Sequence, residues 1–183
     1  MGGKRIKKDK DKEDYHGHLR TNLLIDKLRV CDNCPLKLYN KKDNTVIYGI
    51  GNIQANIVII VKSYNVYKSK ELLIKLNNIW KEITGNNILE DVYITRLIKC
   101  YDNTDLNLDK DAINYCKEFV CHEICRILPT KVIVFGNYSD YIDVLPRGIK
   151  LYATYDIGIL YYDNVTVIDK LKEHLKSFIY DNI

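Results

Sequence analysis

Two short runs of uninterrupted apolar residues constrain this chain more than anything else in it. Ile57-Val58-Ile59-Ile60-Val61 and Val132-Ile133-Val134-Phe135, the second led in by Lys131, are apolar at every position. Successive side chains of a strand point to opposite faces, so such a strand is buried on both. A parallel sheet covered by helices on each side meets that demand. The segments between the runs have the matching helical period. Leu72, Leu73, Leu76, Ile79, Trp80 and Ile83 make one stripe, with Ser69 placed to cap its start and Gly85 its end. Ile113, Cys116, Phe119, Val120, Ile124 and Ile127 make a second over residues 109–128, stopped by Pro129. Ile168, Leu171, Leu175 and Phe178 make a third over 166–179. Residues 92–95 and 151–155 read as two more strands, and 46–48 as a short one entering a turn at Gly49 and Gly51. The expected fold is a three-layer α/β/α sandwich around a central, mostly parallel four-stranded sheet. The working site of such a fold lies beyond the carboxyl ends of the strands, here the loops 62–68, 96–100, 136–139 and 156–158.

The 183 residues suit one domain with a substantial core. Residues 1–14 stand apart: six cations and four anions with almost nothing apolar predict a charged, disordered arm. The single domain is expected over 15–183, opening with a helix over 15–30 that carries Leu19, Leu23, Leu24, Leu28 and Val30. The longest apolar run, 57–61, is far too short to span a bilayer, so no membrane role is expected. The charged N-terminus has no apolar stretch behind it, which predicts no secretory leader. A formal net charge of +4 is compatible with nucleic acid as a partner without demanding it. The 15 tyrosines accompany abundant Asn, Lys and Ile, the signature of an AT-rich genome, and are not read as stacking platforms. An AT-rich viral or phage source would suit that composition.

Six cysteines without an export signal point to a reducing, intracellular compartment and to metal binding rather than disulfides. Cys31 and Cys34 form C-x2-C, Cys100 follows the strand at 92–95, and Cys116 lies sixteen positions beyond it inside a helix. Four thiolates complete a [4Fe–4S] cluster, and C-x2-C is a common way to supply two of them. A four-cysteine zinc site is the main alternative, although such sites usually present two close pairs. Free buried thiols are the third reading. Cys121 and Cys125, at i and i+4 around His122, are expected to be small packing residues of the helix.

C-D-N-C-P-L at 31–36, V-I-Y-G-I-G at 46–51, A-N-I-V-I-I-V at 55–61, V-Y-I-T-R-L-I-K-C at 92–100 and P-T-K-V-I-V-F-G at 129–136 occur in one order and at compatible spacing. Together they resemble the iron–sulfur uracil-DNA glycosylases of families four and five. The resemblance runs from Cys31 to Tyr155 and weakly through the last helix. It implies a [4Fe–4S] cluster held by Cys31, Cys34, Cys100 and Cys116. The chain departs from that family where its chemistry lies. The acidic Gly-Glu-Ala-Pro-Gly motif after the first long strand is replaced by Lys62-Ser63-Tyr64-Asn65-Val66. The loop that stacks on the extruded base is absent from the sequence, Arg96 stands where the family has its base-reading Asn, and Asp156-Ile157-Gly158 replaces His-Pro-Ser.

Excision requires a base to be extruded, stacked and read, and the charge on the leaving uracil to be stabilised. An ionised Asp156 would repel that charge, and Arg96 offers no acceptor to the uracil ring N–H. The expected function is therefore that of a catalytically inactive, uracil-DNA-glycosylase-like iron–sulfur protein, binding nucleic acid or serving as a subunit of a replication, repair or transcription assembly. The alternatives are an active DNA glycosylase with altered catalytic residues and a purely protein-interaction subunit. DNA and a protein partner are the expected ligands. Lys62, Arg96 and Lys99, all at strand-end loops, are the expected nucleic-acid contacts, and no catalytic residue is assigned.

Overall fold

The computed structural model describes residues 34, 49–62, 70–99, 109–137 and 148–181. The arm at 1–14, the helix expected over 15–30, the strand expected at 46–48, Cys31 and Cys100 lie outside the described residues. Five strands form one sheet: β1 (Ile50–Gly51), β2 (Ile57–Val61), β3 (Val92–Arg96), β4 (Lys131–Phe135) and β5 (Lys150–Thr154), in the order β1-β3-β2-β4-β5. The four longer strands run parallel, with Ile59 opposite Ile94 on one side and Ile133 on the other. β1 is antiparallel to β3 and makes the sheet one strand wider than the four expected. The Gly turn folds back along β3: Asn52 N–H donates to the Val92 carbonyl at 3.1 Å. Gly51 sits at φ 103°, where a Cβ would strike that same carbonyl.

Strand alternation sorts the apolar side chains onto two faces. Ile59, Val61, Val92, Ile94, Ile133 and Phe135 meet the helices α1 (Lys70–Thr84) and α2 (Ile88–Asp91), a 3-10 turn (Ile157–Tyr161) and the last helix. Val58, Ile60, Tyr93, Val132 and Val134 meet α3 (Asp109–Ile127) through Ala112, Ile113, Val120 and Ile124. The last helix is α4 (Val165–Tyr180). The three-layer α/β/α fold expected from the two apolar runs is therefore present. Leu72, Leu76 and Leu171 are fully buried, and each such side chain contributes about 1.5–3 kcal/mol.

The C-terminal ends of α1 and α3 follow from local sequence, that of α4 from distant partners. Gly85, at φ 84°, closes α1 by donating to the Lys81 carbonyl at 2.9 Å. α3 ends at Leu128, which adopts φ 49° and donates to the Ile124 carbonyl at 2.8 Å, directly before Pro129. α4 is closed by two β4 and β5 lysines. Lys131 Nζ donates to the carbonyls of Ile179 at 2.8 Å and Asp181 at 2.9 Å, and Lys150 pairs with the Asp181 carboxylate at 3.1 Å.

The chain steps from β2 to β3 over the α1 face and from β3 past β2 to β4 over the α3 face. Its direction across the sheet thus reverses between β2 and β4. Open α/β sheets bind their ligands at such a reversal, outside the carboxyl ends of the strands.

Candidate functional site

The strand ends place the expected residues as follows. Lys62 directly follows β2 and is half-buried; its carbonyl accepts from Ile98 N–H at 3.0 Å. Arg96 is the last residue of β3, opposite Val61, and is buried. Gly136, after β4, donates to the Thr154 carbonyl at 3.0 Å. Asp156, two residues past β5, caps the 3-10 turn: its Oδ1 accepts from Gly158 N–H at 2.7 Å.

The three cations differ in exposure: Arg96 and Lys99 are buried and Lys62 is half-buried. By strand alternation Arg96 shares the α1 face with Val92 and Ile94. Lys99, only 1% exposed, turns to the α3 face and forms an ion pair with Glu123 at 2.5 Å. It also donates to Thr95 Oγ1. Burial pushes the Lys99 ammonium below the ordinary lysine range, while Glu123 acts in the opposite direction.

Glu123 was not anticipated from the sequence, and it is the centre of the polar structure on this face. Its carboxylate accepts from Gly49 N–H at 3.3 Å, Tyr93 O–H at 3.3 Å, Thr95 O–H at 2.5 Å and Lys99 Nζ. Four donors from two chain segments satisfy one buried anion, as a charge in a low-dielectric interior requires. Gly49 is a glycine because of this approach: a Cβ there would run into the Tyr93 ring and the Ile94 carbonyl. The sequence carried a signal for Glu123. It lies seven positions after Cys116, so two helical turns bring it onto the buried stripe of α3.

Two of the four expected cluster cysteines are described. Cys34 and Cys116 are both buried, at 8% and 4% exposure. Cys34 belongs to the buried cluster on the α3 face that also contains Ala55, Leu97, Ile98, Ala112 and Ile113. Cys116 Sγ accepts from the backbone N–H of Lys99, the residue before Cys100 in sequence, at 3.4 Å. Two buried thiols on one side of the sheet, one of them receiving a backbone N–H, fit the donor chemistry of an iron–sulfur site. Among the described residues no group of three or more His, Cys, Asp or Glu is placed to hold a metal. Cys31 and Cys100 fall outside those residues.

The other two cysteines do not pack as expected. Cys121 is partly exposed and Cys125 exposed, because the buried stripe of α3 runs through 112, 113, 116, 119, 120, 123 and 124. Glu123, between the two cysteines, takes the inward position on this turn. No described helix is long and apolar enough to cross a membrane.

No protein-family model matches the chain. Among curated proteins it is similar to the type-4 uracil-DNA glycosylase of Saccharolobus solfataricus, with 30% identity over 128 residues. The match covers 64% of this chain and 56% of that protein, so the chain spans little more than half of its relative's length. The parallel sheet with helices on both faces agrees with that likeness, and together they support a uracil-DNA-glycosylase-like protein.

Proposed function

We propose that this chain is a uracil-DNA-glycosylase-like iron–sulfur protein that engages nucleic acid, alone or within a replication, repair or transcription assembly, without excising uracil. The observation that carries this reading is the use made of Asp156. Its carboxylate accepts from Gly158 N–H as the cap of the 3-10 turn, at the position where the resembled family has a His that donates to the departing base. A carboxylate that accepts there supplies no donor to a developing uracil anion. Cys31, Cys34, Cys100 and Cys116 would hold a [4Fe–4S] cluster, which would supply a covalent tie between the chain segments that carry them. A reducing intracellular compartment suits four thiolate ligands. Lys62, half-buried at the reversal point of the sheet, is the strand-end cation nearest to solvent, since Arg96 and Lys99 are buried. Phosphate contacts therefore fall to Lys62 and the cations of residues 1–14.

The 30% likeness to a protein named as a glycosylase favours a second reading, excision with altered residues. One assay separates the two. The anaerobically purified chain is incubated with uracil-containing single- and double-stranded DNA, and abasic sites are counted against a protein-free control. The expected result is no excess. Turnover that Asp156→Asn abolishes would overturn the inactive reading and establish the second.

A further inference from the structure

We propose that Glu123 is a positioning residue for the metal ligands: one buried carboxylate ties together three chain segments, of which one carries Cys116 and one directly precedes Cys100. The inference rests on the iron–sulfur reading above. The first is the Gly turn before β1, where Gly49 N–H donates to Glu123 Oε1 at 3.3 Å. The second is the end of β3, where Thr95 and Lys99 both bond Glu123 Oε2 at 2.5 Å, directly before Cys100. The third is α3 itself, which carries Glu123 and, two turns earlier, Cys116.

Lys99 is held to that helix twice. Its backbone N–H reaches Cys116 Sγ at 3.4 Å and its side chain reaches Glu123 at 2.5 Å. Fixing both ends of residue 99 against one helix fixes where the chain enters position 100. A buried thiolate site gathers negative charge, and Lys99 brings a buried ammonium to the same face. Glu123 keeps that ammonium in place. Lys99 is one hydrogen bond removed from Cys116, and Glu123 acts through Lys99; outer partners that orient ligands typically change metal affinity by about 10–100-fold when removed.

The test compares full-length chains loaded with iron and sulfide under anaerobic conditions: wild type, Glu123→Ala, Glu123→Gln and Leu171→Ala. Leu171 is buried on the opposite, α1 face, so its variant reports general destabilisation alone. The readout is the rate at which an iron chelator bleaches the visible absorption, at temperatures equally far below each variant's melting point. Glu123→Ala should lose the cluster about 10–100-fold faster than Leu171→Ala. Glu123→Gln, which still accepts from Gly49 and Tyr93, should fall between Glu123→Ala and wild type. If Glu123→Ala does not fold, the comparison is made with Glu123→Gln. Bleaching no faster than in Leu171→Ala overturns the inference and leaves the cluster reading standing. Wild-type protein that takes up no iron and sulfide overturns both.

Discussion

Taking an ammonium and a carboxylate out of water costs several kcal/mol per ion, and the mutual attraction offsets this only when the remaining valences are filled. At Lys99 and Glu123 they are filled, by Thr95, Tyr93 and Gly49. Lys99→Met leaves an unpaired buried anion and should cost about 3–5 kcal/mol. Lys99→Met combined with Glu123→Gln removes both charges, while the amide still accepts from Gly49 and Tyr93. It should recover most of that loss, and denaturant unfolding of the two variants measures the difference. Equal losses would mean that the pair is not coupled. The buried role of Lys99 was illegible in the sequence because it depends on a residue 24 positions away; a lysine at a strand end reads as a phosphate contact. Leu128 is a simpler case. It holds φ 49° with its side chain exposed, a conformation that costs an L-residue about 1–2 kcal/mol. Leu128→Gly should therefore raise the melting temperature, with a gain of about 1 kcal/mol. A decrease would show that the left-handed turn carries no strain.

The elements differ in how plainly they were written. β2 and β4 were legible because each is apolar at both parities, and α1, α3 and α4 because their stripes repeat at the helical period. β1 and the 3-10 turn were not. A two-residue strand has no period, and the turn is made by Asp156 capping Gly158 rather than by an apolar pattern. The closure of α4 likewise depends on partners far apart in sequence. Lys131, Lys150 and Tyr152 all reach Ile179 or Asp181. This latch titrates at both ends of the pH scale. Asp181 is held below the usual carboxylate range, by the Tyr152 hydroxyl first and then Lys150. Its folded value is depressed, so its contribution is present above the unfolded carboxylate range and is lost as pH falls through the folded value. Tyr152 is pushed up to about 12, by burial first and then by Asp181. Its folded value is raised, so its contribution is present below the ordinary tyrosine range and is lost as pH rises toward 12. Asp181→Asn should lower the melting temperature at neutral pH and flatten its fall in acid. Tyr152→Phe should flatten the fall on the alkaline side. Unchanged pH profiles in both variants would mean that the latch does not form in solution.

Across the whole molecule, the two faces of the sheet are held by different means. On one face α1, α2, the 3-10 turn and α4 enclose a continuous apolar cluster. Cross-links such as Lys75 to the Leu160 carbonyl at 2.9 Å and to Asp163 at 2.7 Å tie them together. On the other face, among the described residues, α3 is the one helix, and its contact combines apolar packing with the Glu123 network and the buried cysteines. Burial of apolar surface on the first face does not depend on a metal. On the second face, the iron–sulfur reading places a cross-link among the segments that meet α3. Stability is distributed in cooperative units that open separately, and hydrogen exchange reports them one by one. Removing the metal anaerobically with a chelator should therefore speed exchange through Asp109–Ile127 and at Leu97 and Ile98. The amides of Val165–Tyr180 and of β2 and β4 should keep most of their protection. Cys116→Ser should give the same pattern without a chelator. Loss of protection spread evenly over both faces would show that the sheet and its layers open as one unit. No change anywhere would show that α3 is held by its packing and by Glu123 without help from a metal.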